Sequence, residues 1–373
     1  MKIRRILSCL LLLSFLPILA CCRKAPAQDS EYIDEKNPGD NALPMRGLVI
    51  ARDDNNLIVS KQQDNKIDAY TININATSFD EAEKVLENTI IINQYENYLL
   101  AKNEEANQLI CYNIKDFKEL AKIDYTPTYA IYNNRLYYLP NDGSKTLCFI
   151  QLDRSGSAKL SNYQVENLIY TQGGLYATVV SDSKTLIYPV SDQGFDQPIE
   201  YPGAADYSNM YTINNGYIYY FTGENENYQL LRKNISTAQT ETLLQNILVP
   251  YIIDCTPSTV CAELLIKQGQ QDMACIYTID ANNPEAKIQK IDTDADISSF
   301  TTQIYDLNGK SAISFALDTG GAKAYYDGKL IDIAQTDNVH GDEKIFSDNK
   351  AVAYNGAVIT VTNLETGESY TIS

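Results

Sequence analysis

The feature that most constrains this chain is a short step that recurs along its whole length: a hydrophobic or small residue, Tyr, a polar or Pro residue, then a branched aliphatic. It appears at Ala69-Tyr70-Thr71-Ile72, Cys111-Tyr112-Asn113-Ile114, Ile187-Tyr188-Pro189-Val190 and Ile276-Tyr277-Thr278-Ile279. Weaker rungs fall at Ile150-Gln151-Leu152, Lys233-Asn234-Ile235, Tyr325-Tyr326 and Thr362-Asn363-Leu364. The slots equivalent to that Tyr, at 70, 112, 150, 188, 233, 277, 325 and 362, are separated by 42, 38, 38, 45, 44, 48 and 37 residues. A period of about 42 residues built from strands predicts an all-β chain, a β-propeller of four-stranded antiparallel blades.

A second ladder keeps the same phase: Leu57-Ile58-Val59, Tyr98-Leu99-Leu100, Leu136-Tyr137-Tyr138, Leu175-Tyr176-Ala177 and Ile218-Tyr219-Tyr220, then the weaker Val260-Cys261-Ala262, Ala312-Ile313-Ser314 and Ala351-Val352-Ala353. The steps Asn133-Asn134, Gly173-Gly174, Asn215-Gly216, Asn308-Gly309 and Asp348-Asn349 lie between β-rich runs, where residues that accept positive φ suit tight hairpins. Eight units of about 41 residues fill 46–373, so eight blades are expected, with seven as the alternative. The first and last units each look whole, which argues against closure by a blade shared between the termini. Pro189, within a third-strand pattern, predicts a bulge or an early strand end. Phe79 to Asn88 reads as one short helix or as the last strand of the first unit.

Residues 1–20 carry Lys2, Arg4 and Arg5 ahead of an apolar run from Ile6 to Ala20, too short for a membrane span and flanked like a secretory signal. The run ends in Ile18-Leu19-Ala20-Cys21, which resembles the bacterial lipoprotein box. That resemblance implies cleavage before Cys21, a diacylglycerol on its thiol and an acyl chain such as palmitate on the new N-terminus, enough for stable anchoring. Cys22 offers a second register, and an ordinary secretory signal with an incidental Cys is the plainer alternative. Residues 21–45 hold three prolines and almost no aliphatic pattern, so they read as a flexible tether with a span of roughly 25–30 Å. The propeller domain then occupies 46–373. The expected location is the cell envelope, outside the cytoplasm, with the membrane touched through the lipid anchor only.

Ile218-Tyr219-Tyr220-Phe221-Thr222 followed by Leu230 to Ile235, and Leu136 to Pro140 followed by Leu147 to Asp153, resemble the blade pattern of the low-density-lipoprotein-receptor type of propeller and its bacterial lipoprotein relatives. The chain departs from the receptor family in having no Trp, hence no Tyr-Trp-Thr-Asp step. The same lack removes the Trp-dependent signatures of WD-repeat, sialidase and quinoprotein propellers. The resemblance implies a fold and no particular chemistry.

The formal charge of -18 falls to -21 once the three signal-region cations are removed. Such a surface repels phosphate backbones, so nucleic acid is excluded as a partner. One histidine, His340, serves the whole chain, which forbids multi-His metal sites and leaves any Ser-His or Cys-His dyad hanging on that residue. No catalytic residues are therefore assigned. The alternative, a glycoside hydrolase or lyase with a carboxylate pair at the channel mouth, has abundant acids but no motif to choose two of them.

Asp292, Asp294 and Asp296 alternate as in calcium-binding loops, without the Gly and Glu of an EF-hand. Structural calcium and a solvated acidic turn are the two readings, and no other cofactor is expected. Cys255 and Cys261 flank Thr256 to Val260, so a disulfide across a hairpin is considered. Cys111 and Cys148 read as small buried hydrophobes. Tyr is enriched, 28 residues against nine Phe. Those outside the ladders, Tyr125, Tyr129, Tyr163, Tyr201 and Tyr207, are the candidate ligand anchors around a propeller mouth. The resulting expectation is a monomeric binding or scaffold lipoprotein that holds an envelope protein or glycan.

Overall fold

A computed structural model describes residues 45–373 except 47–48, 64–65, 96, 154–155, 173, 182–183, 204–209, 284, 294–295, 335–343 and 347–348. Cys21, Tyr207, Asp294 and His340 lie outside the described residues. The regular structure of the described residues is antiparallel strand apart from one 3-10 turn, Phe79–Glu81, whose N-cap Ser78 forms a capping box with Glu81. The first-unit segment at 79–88 thus holds that turn and then the strand Glu83–Leu86.

Six sheets are hydrogen-bonded. Two of them contain a long strand that changes partner midway. Ser157–Thr171 pairs first with Thr146–Gln151 and then, from Val165, with Gly174–Ser181. Thr240–Cys255 pairs first with Asn227–Asn234 and then, from Ile247, with Thr259–Gln268. Dividing both strands at the change leaves four-stranded units. Their first strands are Val49–Ala51, Thr89–Tyr95, Tyr129–Tyr132, the second half of Ser157–Thr171, Tyr211–Asn214, the second half of Thr240–Cys255, Gln303–Leu307 and Lys344–Phe346. We number the units one to eight in that order. First strands of neighbouring units touch around much of the ring, as expected of the innermost position.

The core explains why strand alternation suffices to build the ring. Side chains on the two faces of each sheet enter different clusters, one with each neighbour. Ile50 packs with Ile91 and Leu99 of unit two, whereas Val49 and Ala51 pack with Val352 and Tyr354 of unit eight. Tyr219 faces unit six and its neighbours Ile218 and Tyr220 face unit four. Every junction also carries a polar bridge. Examples are Ile91 N–H to Ser60 Oγ (2.9 Å), Arg135 Nη1 to the Asp192 carbonyl (3.1 Å), Asn214 Nδ2 to the Thr256 carbonyl (2.7 Å) and Tyr326 OH to Asn349 Oδ1 (2.6 Å). Units one and eight are each built from consecutive strands and meet by packing, with Phe79 N–H donating to the Ser373 carbonyl at 3.0 Å. Among the described residues no strand is exchanged between them.

The eight ladder positions all lie in third strands and the companion ladder in second strands, as the repeat predicts. Asn133, Asn134, Asn215, Gly216, Asn308 and Gly309 all take positive φ, between 47° and 85°, at the hairpins joining first to second strands. Pro189 behaves differently from expectation. Lys184–Ser191 runs through it in unbroken register with Gly174–Ser181. On the outer side Ile199–Glu200 pairs only with Leu186 and Ile187, so no ladder bond is asked of the missing N–H.

The disulfide expectation is overturned. Cys255 lies opposite Val260, and Cys261 lies opposite Asp254, so the two side chains leave opposite faces of the hairpin. Cys255 enters the cluster between units five and six, Cys261 that between six and seven, and both thiols are free. Cys111 is a buried thiol in the cluster between units two and three, and Cys148 is half-buried.

Candidate binding face

Antiparallel order gives the ring two distinct faces. One, the entry face, carries the start of each first strand and the hairpins joining second to third strands. The other carries the hairpins joining first to second strands and the connections to the fourth. The candidate site is on the entry face, where units six and seven meet.

Two backbone irregularities aim two aromatic rings at the same spot. In unit six the ladder runs Pro250 to Leu264 and then Ile252 to Glu263, so Tyr251 is the extra residue of a β-bulge. Pro250 has no N–H to give, and a bulge turns the side chain of its extra residue out of the ladder. In the connection to unit seven, Phe300 takes φ 64°, a left-handed conformation that costs a bulky L-residue roughly 1–2 kcal/mol. The rings of Tyr251 and Phe300 meet with centroids 4.5 Å apart and planes at 49°. Phe300 is 61% exposed, the most open large hydrophobic side chain among the described residues.

Glu263 holds this connection in place. It is fully buried in Thr259–Gln268, with Oε1 accepting from Phe300 N–H at 2.6 Å and Oε2 accepting from Thr302 N–H at 3.1 Å. Burial pushes its carboxyl above the ordinary range, and the donors of Thr302 and Phe300 pull it back. Around it, Thr301 Oγ1 donates to the Ser298 carbonyl (2.6 Å), Ser298 Oγ donates to Asp318 Oδ1 (2.8 Å), and Asp318 N–H donates to the Asp296 carbonyl (3.1 Å). An exposed aromatic in a strained conformation is thus set on a connection tied to both neighbouring units. Its exposure comes with order rather than looseness.

Of the four described Tyr residues chosen from the sequence, only Tyr125 and Tyr129 share a cluster, and the four do not form one site. Tyr201 is buried between units four and five, its OH on the Phe221 carbonyl at 3.4 Å, so it is a core residue and no anchor. A Tyr outside the ladder suggests an exposed anchor, yet Tyr201 packs against the rings of Tyr211 at 5.9 Å and Tyr220 at 6.0 Å. Tyr125 and Tyr129 are half-buried against the cluster between units two and three, with Lys102 Nζ 4.7 Å from the Tyr125 ring centre. Tyr163 is 50% exposed on the outer flank, stacked on Tyr188 at 5.2 Å and on Phe195 at 5.9 Å. The repeat pattern singles out neither Tyr251 nor Phe300. The one legible signal was Pro250 within a strand-like run.

Asp292 and Asp296 are exposed, and among the described residues no group of His, Cys, Asp or Glu could hold a metal ion. The two buried carboxylates of the described chain are both engaged, Glu263 as above and Asp68 with Asn88 N–H at 2.9 Å and Lys84 Nζ at 3.3 Å. A surface cavity of about 420 Å³ on unit five is lined by Tyr217, Asn234, Gln239 and Thr240 and by the pair of Arg232 Nη2 with Glu241 Oε2 at 2.6 Å. That pair closes a strand register and lies across the Tyr217 ring, a structural role.

No family model matches the chain, and no curated protein matches it. Among solved structures it is similar to the β-propeller domain of the trilobed protease from Pyrococcus furiosus, at 12% identity over 90% of this chain and 98% of that one, with a TM-score of 0.49. It is also similar to Hsv2 from Kluyveromyces lactis, at 11% identity over 74% of this chain and 94% of that one, with a TM-score of 0.47.

Proposed function

We propose that this chain is a membrane-tethered, extracytoplasmic binding or scaffold lipoprotein that engages an envelope protein or glycan through the entry face around Tyr251 and Phe300. The observation that carries the reading is the display of Phe300: 61% exposed, left-handed, and pinned by a buried carboxylate of the adjoining unit. Strain of this kind persists only where surrounding structure over-determines it, and such positions cluster at ligand clamps. Exposed, rigid aromatics are also the residues that supply most interface energy.

The direction of the tether supports the same face. Met45–Arg46 pairs antiparallel with the inner edge of Thr89–Tyr95, Met45 opposite Gln94 and Arg46 opposite Asn93. Met45 therefore stands nearer the end of that strand remote from the entry face. A lipid on Cys21, about 24 residues earlier, would draw that opposite face toward the membrane and leave Tyr251 and Phe300 turned away from it.

The test uses the full-length protein in its own envelope. Metabolic labelling with palmitate and detergent partition should show lipid on the wild type and none on Cys21→Ala. Cross-linking in the intact envelope should give a product that Phe300→Ala loses and Cys261→Ser keeps. An unlipidated wild type, or a product indifferent to Phe300, overturns the corresponding half of the reading.

A further inference from the structure

We infer that the Tyr251–Phe300 site takes a cationic peptide segment, with a Lys or Arg side chain laid against the two rings. The inference rests on the binding reading above and adds the chemistry of the partner. Two rings at 4.5 Å and 49° form an angled aromatic wall, and an exposed ring face attracts a guanidinium or ammonium through its quadrupole.

The surroundings have the matching sign. Asp292, Asp296 and Asp318 are exposed on the same connection and on the hairpin bonded to it. Of the cations toward this face, Lys323 pairs with Asp332 at 2.8 Å and Lys290 Nζ bonds Gln268 Oε1 at 3.3 Å, while Lys267 is exposed beside the second-to-third hairpin of unit six. The wider entry face adds Glu105 and Glu226, besides Glu87 and Glu104, which pair with Lys84 at 3.3 Å and Lys102 at 2.9 Å, and the chain as a whole carries -18. An anionic glycan or an acidic peptide would meet repulsion there, while a basic segment would be steered in.

The experiment is fluorescence anisotropy with the full-length protein in neutral detergent. The probes are a labelled octapeptide of alternating Lys, Arg and Gly, the same peptide with Glu for each cation, and a labelled neutral oligosaccharide. The basic peptide should bind, weaken at least tenfold in Phe300→Gly and in Tyr251→Ala, weaken severalfold in Asp292→Asn/Asp296→Asn, and weaken as salt is raised from 50 to 500 mM. Phe300→Tyr, which keeps a ring, should retain binding. Phe300→Gly suits the left-handed φ, so its lost binding is not lost folding, and an unchanged melting curve checks this.

Equal binding of the acidic peptide, or basic-peptide binding untouched by Phe300→Gly, overturns the inference. If the cross-linked envelope product still depends on Phe300 while the basic peptide fails and the oligosaccharide binds, the site stands and the cationic partner is wrong. If neither product nor peptide depends on Phe300, both readings fall together.

Discussion

The backbone N–H of Phe300 donates to the buried carboxylate of Glu263 at 2.6 Å, across the junction between two units. The second oxygen of the same carboxylate takes Thr302 N–H at 3.1 Å. One side chain therefore sets the path of the connection that displays the exposed ring.

Replacing Glu263 by Gln keeps the shape but offers an amide N–H₂ where an acceptor is needed. One backbone donor is left facing another donor in a buried site. Equilibrium denaturation should show a loss of about 1–3 kcal/mol, the usual cost of an unsatisfied buried group. Amide exchange at Phe300 and Thr302 should speed more than exchange in unit two.

The same carboxyl makes a signed contribution to the pH dependence of stability. Its folded value is raised above the unfolded one, chiefly by burial, so the folded state favours the protonated form. The contribution is fully present below the unfolded carboxylate value and is lost as pH rises through the folded value. Across that acid window Glu263→Gln should show a flatter fall of stability with rising pH than the wild type. Parallel curves would mean that burial does not shift Glu263.

Phe300→Gly separates display from stability. Glycine relieves the left-handed strain, worth roughly 1–2 kcal/mol, and forfeits a ring contact worth roughly 0.5–1.5 kcal/mol. Stability should stay within about 1 kcal/mol of wild type while partner binding is lost. A large destabilisation would make Phe300 a packing residue.

Cys255 and Cys261 should titrate as thiols only after unfolding, with or without reductant. Burial pushes the Cys255 thiol up to about 12, with Asp254 adding to the shift, and burial likewise raises Cys261. Neither offers a thiolate at neutral pH. A mass loss of two hydrogens in the peptide spanning both would restore the bridge.

Much of the architecture was legible because it is written in short-range pattern. Tyr70, Tyr112, Tyr188, Tyr277 and Tyr325 mark third strands at repeat spacing, and Asn215-Gly216 and Asn308-Gly309 mark hairpins whose positive φ those residues accept. The alternation of Val49, Ile50 and Ala51 between two neighbouring units follows from the period of two along a strand.

The site was less legible. Tyr201 and Phe300 both lie in long connections, and composition treats them alike. One is folded beneath Phe221 and the other is held out by Glu263, a residue 37 positions away in another unit. Cys255 and Cys261 were near in sequence and looked ready to pair, yet a register that sets Cys255 against Val260 sends them to opposite faces.

Sequence alone thus determined the repeating strand pattern and its turns, since these depend on residues within one hairpin of each other. Tertiary structure alone decided which aromatic is exposed, which thiols part, and where a buried carboxylate is satisfied. Those outcomes depend on how one unit's face meets the next, and no local pattern encodes that contact.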